Sequence, residues 1–121
     1  MSSPTQQRGS WAESTALDYL RQQGLKLITR NFNCRFGEID LIMSERDTLV
    51  FTEVRYRAVA ARVSAAESVD TRKQQRIIRS AQYYLQRHPE LALRHCRFDV
   101  LGVTGTRGDQ QLDWIKDAFQ S

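Results

Sequence analysis

The side chains best placed to do chemistry lie in two short stretches, Gly37-Glu38-Ile39-Asp40-Leu41-Ile42 and Val50-Phe51-Thr52-Glu53-Val54-Arg55. Each alternates with period two and reads as a half-buried strand, and Ser44-Glu45-Arg46-Asp47-Thr48 between them reads as a hairpin turn. A turn centred near Arg46-Asp47 sets Leu41 opposite Thr52 and Asp40 opposite Glu53. Glu38, Asp40, Glu53 and Arg55 then share one face, and Ile39, Leu41, Met43, Val50 and Val54 fill the other. Neighbouring carboxylates repel unless a positive group lies between them, and a hard divalent cation is the usual occupant. Oxygen ligands from Asp40 and Glu53 would select Mg²⁺ or Mn²⁺ over zinc. Such a cation polarises a phosphoryl oxygen and acidifies bound water, which is the chemistry of phosphodiester hydrolysis. The bland alternative is a cross-strand salt-bridge ladder, because Arg55 lies beside Glu53.

Around these strands the remaining pattern supplies a frame. Ser10-Trp11-Ala12-Glu13 has the form of a capping box, and Glu13, Ala16, Leu17 and Leu20 recur at helical spacing as far as Gly24. Glu13 is therefore either a capping side chain or a carboxylate aimed at the sheet. Leu25 to Phe32 fits a first strand near an edge, and Cys34–Met43 and Leu49–Arg57 follow as the second and third. Ala58 to Ser68 has no period and reads as a mobile loop beside the acids. Asp70 caps a second helix that runs to Arg87, with Ile77, Ala81, Tyr84 and Leu85 as its apolar stripe and Lys73 on its polar end. A fourth strand begins at Cys96, Gly102 to Gln110 reads as a turn, and Leu112–Ile115 as a short fifth strand. A hairpin followed by a crossover helix predicts a mixed sheet with helices packed on it, an α/β architecture.

At 121 residues the chain fits one domain, 10–121, behind a polar segment 1–9 expected to be disordered. That segment lacks the apolar core of a secretion signal, and the expected compartment is the cytoplasm. No apolar run approaches the ~20 residues of a membrane span. Cys34, Cys96, His88 and His95 are isolated, which argues against zinc or redox motifs. The net charge of +4 is unevenly spread: residues 55–97 carry 10 basic against 3 acidic side chains, while both flanks are slightly acidic. Of the 18 basic residues, 15 are Arg, which suits bidentate phosphate contacts as well as a solvated helix face. Arg57, Arg62, Arg72 and Arg76 from this segment are the expected DNA contacts.

Asp40 followed by Glu53-Val54-Arg55 on the next strand, after a helix bearing Glu13, resembles the PD-(D/E)xK nuclease superfamily. Arg30-Asn31, Gly37-Glu38-Ile39-Asp40-Leu41-Ile42, Phe51-Thr52-Glu53-Val54-Arg55-Tyr56-Arg57 and Arg97-Phe98-Asp99-Val100 are similar to the YraN family of predicted endonucleases, related to archaeal Holliday junction resolvases. The match covers roughly residues 10 to 115. It implies a restriction-endonuclease-like mixed sheet of four to five strands flanked by helices. It implies that Asp40 and Glu53 ligate the metal with the Val54 carbonyl, and that Glu13 faces the site. DNA, branched forms included, is the implied substrate, and a homodimer would suit paired cuts on a junction. One departure stands out: the superfamily pattern has Lys where this chain has Arg55, and a guanidinium, which stays protonated in proteins, cannot accept a proton. Arg55 would act by fixed charge, or Lys73 would supply the amine. Otherwise the chain is a non-catalytic, structure-selective DNA-binding protein with a degenerate nuclease site. A protein-interaction or assembly factor is a third reading.

Overall fold

Residues 37–57 form the hairpin that their alternation predicts. The computed structural model describes residues 4–59 and 63–121. The elements in chain order are α1 (Pro4–Gln22), β1 (Lys26–Cys34), β2 (Gly37–Glu45), β3 (Thr48–Arg57), α2 (Thr71–Arg87), a single 3₁₀ turn at Pro89–Leu91, β4 (Cys96–Thr106) and β5 (Asp109–Phe119). The five strands make one sheet in the order β1-β2-β3-β4-β5. All neighbours are antiparallel except β3 and β4, which run parallel because α2 carries the chain back across the sheet. This is a mixed sheet flanked by two helices, as a restriction-endonuclease-like fold requires.

The two faces of the sheet hold two cores. Ala12, Ala16, Leu17 and Leu20 of α1 pack on Leu41, Met43, Val50, Leu101 and Val103. Ile77, Ile78, Ala81 and Tyr84 of α2 pack on Ile39, Ile42, Leu49, Phe51 and Val100 on the opposite face. Burying one Leu or Ile contributes about 1.5 to 3 kcal/mol, so a sheet apolar on both sides needs both helices. Asp70 caps α2 as expected, its side chain accepting from the Lys73 N–H at 2.8 Å.

Three expectations are corrected. Pro4 to Gly9 form the first turns of α1. Glu13 therefore stands mid-helix, and the capping-box reading falls away. The fifth strand extends over Asp109–Phe119 rather than four residues, and β4 runs on to Thr106 through the glycines expected to turn. Only Arg107-Gly108 turns, with Gly108 at φ 84°.

One strand residue also takes the face opposite to the one its alternation predicts. Ile39 does not lie with Leu41: it joins Ile42 in the α2-side core. Asn31, across from Asp40 on β1, adopts a left-handed φ of 55°, and the pairing runs Arg30 with Leu41 and Phe32 with Ile39 on either side of it. Arg30 reaches Ser14 on α1, whereas Phe32 meets Tyr84 on α2. The alternation thus changes sides at Asn31 and Asp40. Asn tolerates this conformation better than most residues, because its short amide can bond locally.

Candidate active site

Asp40 lies where the alternation switches, and its environment follows from that. Leu41 pairs with Thr52 as expected. One residue further on, the Asp40 side chain takes the place of a backbone partner: Oδ2 accepts the Val54 N–H at 2.8 Å. Glu53 stands beside it, only 4% exposed, on the α2 side of β3. Two carboxyl groups thus meet at the opening between β2 and β3.

Cations come to Glu53 from two elements. Lys73 Nζ, on the first turn of α2, lies 3.6 Å from Glu53 Oε2, and Arg55 Nη1 lies 3.4 Å from the same oxygen. Arg55 is otherwise engaged: Nε donates to Ser68 Oγ at 3.0 Å and Nη2 to the Ser68 carbonyl at 2.7 Å. The turn at 64–69 that supplies Ser68 sits close to the sheet because Gly102 lies beneath it. A Cβ on Gly102 would fall 2.6 Å from the Ala65 Cβ.

Two further acids border the pair. Asn31, in the orientation that satisfies both ends of its amide, donates to Glu13 Oε1 at 2.8 Å and Glu38 Oε1 at 3.1 Å. Arg30 Nε lies 3.8 Å from Glu13 Oε1 while its Nη2 donates to Ser14 Oγ. Glu13 therefore does face the sheet. Burial first, then the Asp40 charge, pushes the carboxyls of Glu13 and Glu38 above their ordinary range. Glu53 is pushed furthest, up to about 8, by burial and by the charge and hydrogen bond of Asp40, against the pull of Lys73 and Arg55.

Asp40, Glu53, Arg55 and Lys73 are thus brought together, with Glu13 at the margin. Arg72 and Arg76 line an open hollow with Arg55, Ser68, Asp70 and Lys73, directly beside the acids. Arg57 is drawn away: its Nη1 donates to the Ser64 carbonyl, and it borders a different hollow with Gly102 and Asp113. Arg62 lies outside the described residues. Ser68 also takes part, and Arg30-Asn31, which entered above only as a motif of the family resemblance, reaches Glu13 and Glu38. The available signal was an Asn in the middle of a strand, where a residue tolerant of left-handed backbone marks an irregularity.

Oxygen-only donors, one of them buried and holding a proton near neutrality, suit a hard cation that would displace that proton. Among the described residues no three His, Cys, Asp or Glu side chains already form a cage. Mg²⁺ ordinarily takes one or two carboxylates and completes its shell with waters and substrate phosphates, so the pair suffices.

A prediction about stability follows from the Glu53 proton. The unfolded chain releases it near the ordinary value of 4.5, the folded protein near 8. The contribution is therefore complete below the unfolded value and lost as pH rises through the folded one. In EDTA, Glu53→Gln should melt with wild type near about pH 5 and above it near about pH 9. Mg²⁺ should raise the wild-type melting temperature at the higher pH and leave the variant unmoved. A melting difference between the two proteins that ignores pH would contradict this account of Glu53.

A model of the uncharacterised protein family UPF0102 matches residues 12–103, more than half of the chain. A UPF0102 protein of Stutzerimonas stutzeri (strain A1501) is 49% identical over 119 residues, covering 98% of this chain and 99% of its own. One from Nitrosococcus oceani is 47% identical over 113 residues, 93% of this chain and 91% of its own. One from Alcanivorax borkumensis is 50% identical over 114 residues, with the same coverages. The chain belongs to UPF0102. This is the YraN family that the motifs resemble. The segment matched by the UPF0102 model contains Glu13, Glu38, Asp40, Glu53, Arg55 and Lys73, so the whole acid site falls within it. β5 lies beyond. No helix among the described residues is long and apolar enough to cross a membrane.

Proposed function

We propose that this protein is a metal-dependent endonuclease that hydrolyses phosphodiester bonds in DNA, branched or otherwise structured DNA included. The observation that carries the reading is the buried Glu53 set against Asp40 at a strand opening, with Lys73 and Arg55 on one side and the basic hollow of Arg72 and Arg76 adjoining. Asp40 and Glu53, with the Val54 carbonyl, would hold Mg²⁺ or Mn²⁺. The bound cation would supply Lewis-acid polarisation of a phosphoryl oxygen and a water acidified toward neutrality.

The chain's own groups do the rest. The Val54 N–H fixes the Asp40 carboxylate, so the acid does not have to be immobilised when substrate arrives. Lys73 and Arg55 place fixed positive charge where the phosphoryl group gains negative charge in the transition state. Arg72 and Arg76 meet the flanking phosphates, and a pair of sites in a homodimer would suit symmetric cuts.

A second reading is favoured by Arg55, which stands in the Lys position of the superfamily pattern and is held at two points by Ser68. It is a DNA-binding protein with a degenerate site. Purified protein incubated with linear, flapped and four-way DNA in Mg²⁺, Mn²⁺ or EDTA separates the two. The nuclease reading expects strand scission with either metal and none in EDTA. Binding without scission under every condition selects the second reading, and neither binding nor scission removes both.

A further inference from the structure

At the far end of α2 from the acids, the β1–β2 hairpin tip and the helix form a second surface. Arg35, Phe36, Arg79, Gln82, Tyr83 and Gln86 line one open hollow there. The Phe36 and Tyr83 rings lie 6.1 Å apart and nearly edge to face. A guanidinium covers each: Arg35 Cζ is 4.8 Å from the Phe36 centroid and Arg87 Cζ 5.6 Å from that of Tyr83. Both rings are half-buried, whereas Arg35, Arg79, Gln82 and Gln86 are exposed.

Helical spacing connects this surface to the active site. Arg72, Arg76, Arg79 and Tyr83 follow one another at intervals of four, three and four residues, so they form one stripe opposite the buried Ile78 and Ala81. Arg72 and Arg76 border the hollow beside Glu53, and Arg79 borders the aromatic one. From Arg72 to Tyr83 the helix rises about 16 Å, roughly five stacked nucleotides at 3.4 Å each.

We infer that this stripe is a track for one DNA strand leading from the active site to an unpaired base that stacks on Phe36 and Tyr83, an inference that rests on the nuclease reading of the acids. Charge alone would account for the arginines, since phosphates need nothing else. It does not account for two rings at the end of the row, flanked by Gln82 and Gln86, whose amides can both donate and accept hydrogen bonds. Rings offer a π-face to any base, and guanidinium planes extend the stack. A base paired inside a duplex cannot reach them. The favoured substrate is therefore a duplex carrying a single-stranded arm, such as a flap or a branch with an unpaired segment.

The test is fluorescence anisotropy with the full chain in EDTA, so that nothing is cut, using a blunt duplex and the same duplex with flaps of increasing length. Wild type should prefer the flapped form by roughly fivefold to a hundredfold once the arm reaches about five nucleotides. Phe36→Ala and Tyr83→Ala, checked for folding by circular dichroism, should abolish the preference while retaining affinity for the blunt duplex. Tyr83→Phe should keep it. Should Tyr83→Ala unfold, Phe36→Ala at the hairpin tip carries the test. Arg79→Ala should weaken both forms equally and reduce the salt dependence by about one phosphate contact.

Equal affinity of wild type for both DNAs, or a preference that survives loss of both rings, would overturn the track. So would displacement of DNA by polyglutamate at comparable charge concentration, which would assign the face to an acidic protein. Scission assayed in parallel keeps the two ideas apart. Cutting with no flap preference sinks the track alone, while a ring-dependent preference with no cutting in Mg²⁺ or Mn²⁺ sinks the nuclease reading alone.

Discussion

Asp40→Asn and Glu53→Gln should each suppress DNA scission by several orders of magnitude while leaving DNA binding intact or tighter. Both changes preserve shape and remove the negative charge that would retain a divalent cation, and a phosphoryl group loses its Lewis acid with it. Binding should persist because, on the proposed reading, the phosphate contacts would come from Arg72 and Arg76, which line the adjoining hollow, and not from the acids. Asp40→Asn should keep its place in the fold, since its amide oxygen can still accept the Val54 N–H that Asp40 Oδ2 accepts at 2.8 Å. Glu13→Gln should cost less, because Glu13 is shared with Arg30 and Asn31 at the margin of the site. The readout is single-turnover cleavage of flapped or four-way DNA beside an anisotropy measurement on the same protein. Scission that survives in Asp40→Asn, or in EDTA, would end the metal-site assignment.

Lys73→Ala should reduce scission by about a hundredfold to a thousandfold, equivalent to losing one preorganised donor worth roughly 2 to 4 kcal/mol in the transition state. Arg55→Lys should be mild in turnover. The difference arises from what each side chain touches: Lys73 Nζ is 3.6 Å from Glu53 and makes no other ion pair among the described residues, whereas Arg55 spends Nε and Nη2 on Ser68. An ammonium cannot hold Ser68 at two points, so Arg55→Lys should show its cost as a lower melting temperature. Paired rate and melting measurements on both variants decide the matter. Were Arg55→Lys the more damaging change in rate, the catalytic charge would belong to Arg55. Were wild type and both variants all inert on every DNA tested yet still able to bind, the degenerate-site reading would replace the nuclease.

What could be read in advance is local in origin. The hairpin of residues 37–57, the Asp70 cap and the stripe Ile77, Ala81, Tyr84 are each set by neighbours within a few residues, and each stands where its pattern placed it. Lys73 was legible for the same reason: it is the polar residue one turn ahead of Ile77 on a capped helix. The start of α1 was not, because Ser10-Trp11-Ala12-Glu13 imitates a helix beginning within a longer helix, and short motifs carry no record of what precedes them. β5 was underestimated because most of its residues are exposed on an edge strand, where burial imposes no alternation. The side switch at Asn31 and Asp40 depends on a single left-handed residue whose effect falls on the partner strand. The grip of Ser68 on Arg55 spans a loop, and no periodicity encodes it.

The bond from the Val54 amide to Asp40 has one more consequence. It couples a main-chain proton on one strand directly to the carboxylate on the next, and an amide proton's resonance is sensitive to the charge of its acceptor. Val54 is therefore a native spectroscopic probe of the acid site. Its nitrogen–proton cross-peak reports what occupies Asp40 in the unmodified protein, with no label beyond isotopes and no requirement that anything be cleaved.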